Sequence, residues 1–223
     1  MSSEIRESER DRKDIPAQLA RGILFVVSSP SGGGKGTLIQ RVLNTVPNLS
    51  YSVSYTTRAP RNGEANGCEY FFVTPEQFEA MIRAGEFLEW ARVHGQLYGT
   101  SRQQVSHETS KGRDIILEVD VQGAASVRRL VPDAVTIFIL PPSLAVLRKR
   151  LIARGTDSAE ELELRLRNAP EELKNYKAFD FVIINENVER ASGQLESIII
   201  AERARPARQE AHIQRVIESF SSE

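Results

Sequence analysis

The stretch ILFVVSSPSGGGKGTL, from Ile23 to Leu38, decides how the rest of the chain is read. Its first half is a short, continuous apolar run rich in β-branched residues, as in a strand buried on both faces. Its second half is a glycine-rich turn that opens a helical pattern from Thr37 to about Val46, ended by Pro47. Strand, turn and helix in that order aim backbone N–H groups and a helix N-terminus at one point, which favours an anion. Gly32, Gly33 and Gly34 let the backbone approach phosphate oxygens with no Cβ in the way, and Lys35 adds a point charge. Two positions depart from the phosphate-loop pattern G-x-x-x-x-G-K-[ST]. Ser29 stands where the first glycine belongs, and Gly36 where the hydroxyl belongs, with Thr37 one place late. Ser29, followed by the turn formers Pro30 and Ser31, can still make the turn. Gly36 says more. Switch GTPases and motor ATPases hold Mg²⁺ with a hydroxyl directly after the lysine. Here no side chain is expected as a direct metal ligand, and phosphates, water and nearby carboxylates take over.

Outward from the loop, three runs resemble the first strand: DIILEVD (Asp114 to Asp120), AVTIFIL (Ala134 to Leu140) and FDFVIIN (Phe179 to Asn185). Helical patterns separate them in QGAASVRRL, PSLAVLRKRLIARG and EELELRLRNAPEEL. That alternation predicts an α/β, P-loop, three-layer fold around a central, mostly parallel sheet. Residues 53–101 read differently, as short, aromatic, alternating segments around one helix, PEQFEAMIRAG. They predict a small inserted α+β unit with antiparallel strands, packed around Trp90. Core segments are then expected over 21–52, 102–142 and 171–205. The arginine-rich helical stretch 143–170 is a candidate moving part, and 206–223 a helical tail.

Composition narrows the partners. The chain has 223 residues and a net charge of -1, which gives no general reason to expect nucleic acid. One cysteine, Cys68, excludes an internal disulfide and a cysteine metal cage. No apolar run approaches the roughly 20 residues that span a bilayer. Residues 1–20 are densely charged, with little to bury and no apolar signal core, and are expected to form a disordered tail. A cytoplasmic address, with no membrane and no obligate protein partner, is the expectation. His94, His107 and His212 are scattered, without metal spacing.

Further side chains suit phosphate chemistry. Arg58 and Arg61, three apart on a segment held extended by Pro60, can fork onto one phosphate. Glu118 and Asp120, two apart, would share a face at the carboxyl end of a strand, where ligands of parallel sheets gather. Arg150 and Arg154, four apart, share a helix face.

With SVSYTTRAPRNGEANGCEYFF, GEFLEWARVHGQLYGTS, LEVDVQGA, LRKRLIARGTDS and FVIIN, the chain from about Gly22 to Ala204 resembles the guanylate kinase family. The ending GKGT is also that of nucleoside monophosphate kinases. The resemblance implies transfer of the γ-phosphoryl of ATP to GMP, with Mg²⁺ as cofactor and dGMP as a second candidate acceptor. It makes 53–101 a GMP-binding subdomain and 143–170 a lid. It implies that Arg58, Arg61, Tyr70 and Tyr98 hold the GMP phosphate, and that Ser54, Glu89 and Thr100 read guanine, the two hydroxyls facing O6. Glu118 and Asp120 would stand beside metal and GMP, with Thr37 near the metal. Arg150, Arg154 and Arg165 would meet the phosphates on closure. Asn185 would lie near adenine, and Ser29 to Thr37 would cradle the ATP phosphates.

Three other readings stay open at this point. A kinase for another monophosphate would differ in its base-reading residues. A non-catalytic protein-binding module would typically lose the loop lysine or the clamp arginines, and this chain keeps Lys35, Arg58 and Arg61. A GTPase switch would need a hydroxyl after Lys35 and an N-K-x-D element, and neither is evident.

Overall fold

A computed structural model describes residues 21–93, 95–155 and 158–221, apart from the side chain of Arg154. The expectations for the charged tail over 1–20, for His94 and for the Arg154 side chain therefore lie outside the described residues. The chain enters through β1 (Leu24–Ser28), passes the glycine loop into α1 (Lys35–Thr45) and returns as β2 (Leu49–Tyr51). It then leaves for β3 (Ser54–Thr56), β4 (Tyr70–Phe72), α2 (Pro75–Arg83), β5 (Phe87–Val93) and β6 (Gln96–Ser101). Next come α3 (Arg102–Ser110), β7 (Asp114–Glu118), α4 (Val121–Leu130) and β8 (Val135–Leu140). The helical pair α5 (Leu144–Arg154) and α6 (Ala159–Leu173) precedes a 3-10 turn, β9 (Phe181–Ile184), α7 (Val188–Arg203) and α8 (Pro206–Phe220).

The core sheet has the order β2-β7-β1-β8-β9, and every pairing in it is parallel. Alternation along β1 fills both faces. Phe25 and Val27 pack with Leu38, Val42, Leu195 and Ile199 of α1 and α7, while Leu24 and Val26 pack with Val105, Ala124 and Val127 of α3 and α4. Helices on both faces make the three layers expected. The chain moves from β1 to the β2 side and later crosses to β8, so the strand order reverses beside β1. That switch point is where a parallel sheet opens a crevice at its carboxyl ends. The far end is locked by the buried Asp114. Its Oδ1 accepts from Ile23 N at 2.7 Å, and its Oδ2 from Arg203 Nε at 2.7 Å.

The inserted unit has the order β4-β3-β6-β5. It corrects one expectation: β3 and β4 run parallel, and only the β3–β6 and β5–β6 pairs are antiparallel. The connection over residues 57–69 is too long for a hairpin and carries the chain back before β4 starts. One face of this sheet packs Tyr55, Phe87 and Leu97 against Phe78, Met81 and Ile82 of α2. Period-two alternation turns Ser54, Thr56, Tyr70, Tyr98 and Thr100 to the opposite face. An irregularity between Phe87 and Glu89 brings Glu89 opposite Thr100. Trp90, expected inside the unit, is 46% exposed. Helix α3 goes unannounced in the sequence, because RQQVSHETS buries only Val105 and Thr109 and shows no apolar stripe.

Candidate active site

The glycine loop sits at the carboxyl end of β1. Gly34 precedes α1 with φ +96°, a left-handed conformation that an L side chain rarely adopts. A Cβ there would also lie 2.4 Å from Asn185 Nδ2. Ser29 explains its own departure from the pattern. It is buried, its hydroxyl donates to Pro30 O at 2.7 Å, and the same oxygen accepts from Lys35 Nζ at 3.1 Å. Gly33 N closes the turn onto Pro30 O at 3.0 Å. Ser29 thus anchors the loop's neck and gives the lysine a resting partner within it. Thr37 is exposed in the first turn of α1.

Three expected residues converge on this loop from other elements. Asn185, buried just past β9, donates from Nδ2 to Gly33 O at 3.0 Å. Arg150 of α5 donates from Nη2 to Asn185 O at 2.8 Å and from Nη1 to Gly33 O at 3.3 Å. Arg165 of α6 donates from Nη1 to Ser31 Oγ. The helical pair is held on its own core of Leu147, Leu151 and Ala169, with Leu162 and Leu166. Asn185 and Arg150 therefore act on the loop itself, both bonding the carbonyl of Gly33.

The polar face of the insert gathers Ser54, Tyr70, Tyr98, Glu89 and Thr100. The rings of Tyr70 and Tyr98 meet edge-on at 5.8 Å, and the Arg58 guanidinium carbon lies 5.3 Å from the Tyr70 centroid. Arg58 and Arg61 sit on the long connection after β3, joined through Glu64. Glu64 Oε2 accepts from Arg61 N at 2.7 Å, and both Glu64 oxygens accept from Arg58 Nη2 at 2.9 Å.

Glu89 is buried, and Thr100 Oγ1 donates to its Oε1 at 2.6 Å. Burial, with the Asp120 charge adding to it, pushes the Glu89 carboxyl up to about 7, against the pull of the Thr100 bonds. A hydroxyl has one proton to give. With that proton on Glu89, Thr100 has none for a base oxygen, which leaves Ser54 as the donor expected there. Asp120 needs a second correction. β7 ends at Glu118, and Asp120 is the N-cap of α4, its Oδ1 accepting from Gly123 N at 2.8 Å. The two carboxylates do not share a strand face. Asp120 caps a helix beside Glu89, and Glu118 faces the loop.

Glu118 stands beside the loop and near the insert, where its charge bears on Tyr70. A Cβ built at Gly36 would lie 3.7 Å from Glu118 Oε2, and the Tyr51 hydroxyl donates to that oxygen at 3.5 Å. Burial pushes the phenols of Tyr51 and Tyr70 well above their usual value, with the Glu118 charge adding to it. Both therefore stay protonated donors at neutral pH. Among the described residues no cluster of three His, Cys, Asp or Glu could cage a metal. One carboxylate beside an open glycine fits an ion held mainly by phosphate oxygens and water.

Sequence reasoning missed Tyr51, Glu64 and Gly123. Only Glu64 left a signal, its three-residue spacing from Arg61.

A glycine loop at the switch point of a parallel sheet, with arginines brought onto it by a helical pair, places this protein in the class of P-loop kinases with an α/β fold. The sequence profile of guanylate kinase matches residues 21–202. The chain is 48% identical to guanylate kinase of Symbiobacterium thermophilum, over 84% of this chain and 89% of the relative. It is 50% identical to that of Polaromonas sp., over 82% and 88%. The crystal structure of guanylate kinase from Anaplasma phagocytophilum superposes with a TM-score of 0.73 at 35% identity, covering 85% of this chain and 90% of that one. The chain belongs to the guanylate kinase family.

Proposed function

We propose that this chain transfers the γ-phosphoryl group of ATP to GMP, giving ADP and GDP. The observation that carries the reading is Glu118, which faces Gly36 of the glycine loop and lies near enough to Tyr70 of the insert for its charge to help raise that phenol. A donor held by the loop and an acceptor held on the insert would meet beside it.

Phosphoryl transfer asks the protein to position reactants and balance charge, with little covalent chemistry. Lys35 and the loop amides from Ser29 to Thr37 would cradle the ATP phosphates, with Arg150, Arg154 and Arg165 closing over them as a lid. Asn185 would support that cradle through Gly33. Arg58, Arg61, Tyr70 and Tyr98 would hold the GMP phosphate. Guanine presents N1–H and its 2-amino group side by side, which suits the acceptor-only carboxylate of Glu89, with Ser54 donating to O6. No general base is needed, because the attacking phosphate oxygen is already an anion. Mg²⁺ bound with ATP would supply positive charge for the developing charge on the transferred group. Glu118 and Thr37, beside the loop, would bond its waters, whereas Asp120 caps α4 beside Glu89.

No helix among the described residues is long and apolar enough to cross a membrane. We infer a nucleotide-recycling role, with the cytoplasm as its proposed setting. A coupled assay of ADP formation with GMP, dGMP, AMP, CMP and UMP tests it. GMP should be the preferred acceptor, and faster turnover of AMP or a pyrimidine nucleotide would overturn the base assignment.

A further inference from the structure

Arg58 does not choose its own rotamer. Its Nη2 donates to both oxygens of Glu64 at 2.9 Å, and its Nη1 to Ala59 O at 2.7 Å. Its guanidinium lies over the rings of Tyr70 and Phe72, with centroids at 5.3 and 5.8 Å. The Arg58 and Glu64 side chains are only 14% and 16% exposed. Glu64 is fixed in turn. It accepts from Arg61 N at 2.7 Å, and its own N–H donates to Arg61 O at 3.1 Å. One carboxylate therefore ties together the side chain of Arg58 and the backbone of Arg61.

A carboxylate beside a phosphate-binding arginine can compete with the phosphate or prepare the arginine for it. The geometry points to preparation. A guanidinium carries five N–H donors, and the contacts to Glu64 and Ala59 leave part of that set for a ligand. Glu64 is rooted by backbone bonds to Arg61, so it can stay in place when a phosphate arrives. An arginine already fixed by a carboxylate and two rings loses less side-chain freedom on binding than a mobile one. We propose that Glu64 is a positioning residue of the acceptor-phosphate clamp, holding Arg58 and the Arg61 backbone in register for one phosphate group. Burial would raise the Glu64 carboxyl, yet the Arg61 amide and the Arg58 guanidinium hold it below the usual carboxylate range. The brace is therefore charged at any working pH. The inference rests on the reading of residues 53–101 as the GMP-binding unit.

The test is a set of equilibrium titrations of the full chain with GMP and with guanosine, which lacks the phosphate. It compares wild type, Glu64→Gln, Arg58→Ala and the double variant, with thermal melting alongside. Glu64→Gln should weaken GMP binding about tenfold, leave guanosine binding unchanged and shift the melting temperature little. On the Arg58→Ala background the same substitution should have almost no further effect on GMP. Unchanged or tighter GMP binding by Glu64→Gln would make Glu64 a bystander or a competitor. An equal loss for guanosine, or an equal loss with and without Arg58, would make it a general support of the fold. Each of these results overturns the proposal. Wild-type protein that binds no GMP would instead overturn the acceptor assignment beneath it.

Discussion

Thr100 Oγ1 donates to Glu89 Oε1 across 2.6 Å inside the insert, and that bond supports a buried carboxylate whose pKa is pushed up to about 7. The guanine edge offers two donors, so only the ionised carboxylate accepts both. The apparent KM for GMP is therefore expected to rise as the pH falls below about 7, approaching tenfold per unit, and to level off above it. Competition by guanosine, which has no phosphate to titrate, isolates the effect. The stability sign is opposite. A folded pKa above the unfolded value contributes stability at low pH that is lost as the pH rises through 7. Glu89→Gln should thus melt higher than the wild type at pH 8 and not at pH 5. Pairs of melting curves check this.

Gly123 lies in the first turn of α4, where alanine ordinarily stabilises a helix by about 0.5–1 kcal/mol. Here a Cβ would lie 2.8 Å from Glu89 Oε2 and 3.1 Å from Val119 Cβ. Gly123→Ala is expected to gain no stability and to raise the GMP KM with little change in the ATP KM. A more stable variant with normal GMP kinetics would show that Glu89 has room to move.

Tyr51→Phe keeps the ring packed against the core beside α1 and removes only the hydroxyl that reaches Glu118. Losing a hydrogen bond of about 1 kcal/mol predicts a severalfold fall in kcat at nearly constant melting temperature. Steady-state rates at saturating nucleotides decide it. An unchanged kcat would leave Tyr51 a core residue.

Arg150→Ala removes one of two side chains bonded to Gly33 O. The loop should lose its fixed shape, so kcat should fall by about tenfold or more and the ATP KM should rise, while the GMP KM stays within about twofold. A change confined to the GMP KM would place Arg150 elsewhere in the reaction.

The legible parts of this structure are those that burial writes into composition. Leu24–Ser28, Asp114–Glu118 and Val135–Leu140 are nearly continuous apolar runs because both faces of the sheet are covered, and the glycine loop stands out between strand and helix. Signals fail where a side chain is chosen for one local bond. Asp120 reads as a strand-end acid, yet its carboxylate caps Gly123. Helix α3 owes its place to Ser101 capping Gln104 and to Gln104 and Glu108 bonding Ser52 and Ser50, and hydroxyl and amide pairs leave no period in the sequence. The parallel pairing of β3 with β4 depends on the path of residues 57–69, which length alone does not specify. Tyr51 hides for a related reason, since its hydroxyl meets Glu118, 67 residues away in the chain.

If the insert reads guanine through Glu89, base choice depends on that one carboxylate. The direct measurement is the ratio of kcat/KM for GMP over AMP, in the wild type and in Glu89→Gln, each with saturating ATP. Adenine has an acceptor at N1 and no 2-amino group, so against an ionised carboxylate it leaves polar groups mismatched at roughly 1–3 kcal/mol each. A large ratio is expected in the wild type, and in the variant a steep rise in the GMP KM that narrows it by at least tenfold. A ratio that is the same in both proteins would contradict guanine reading by Glu89.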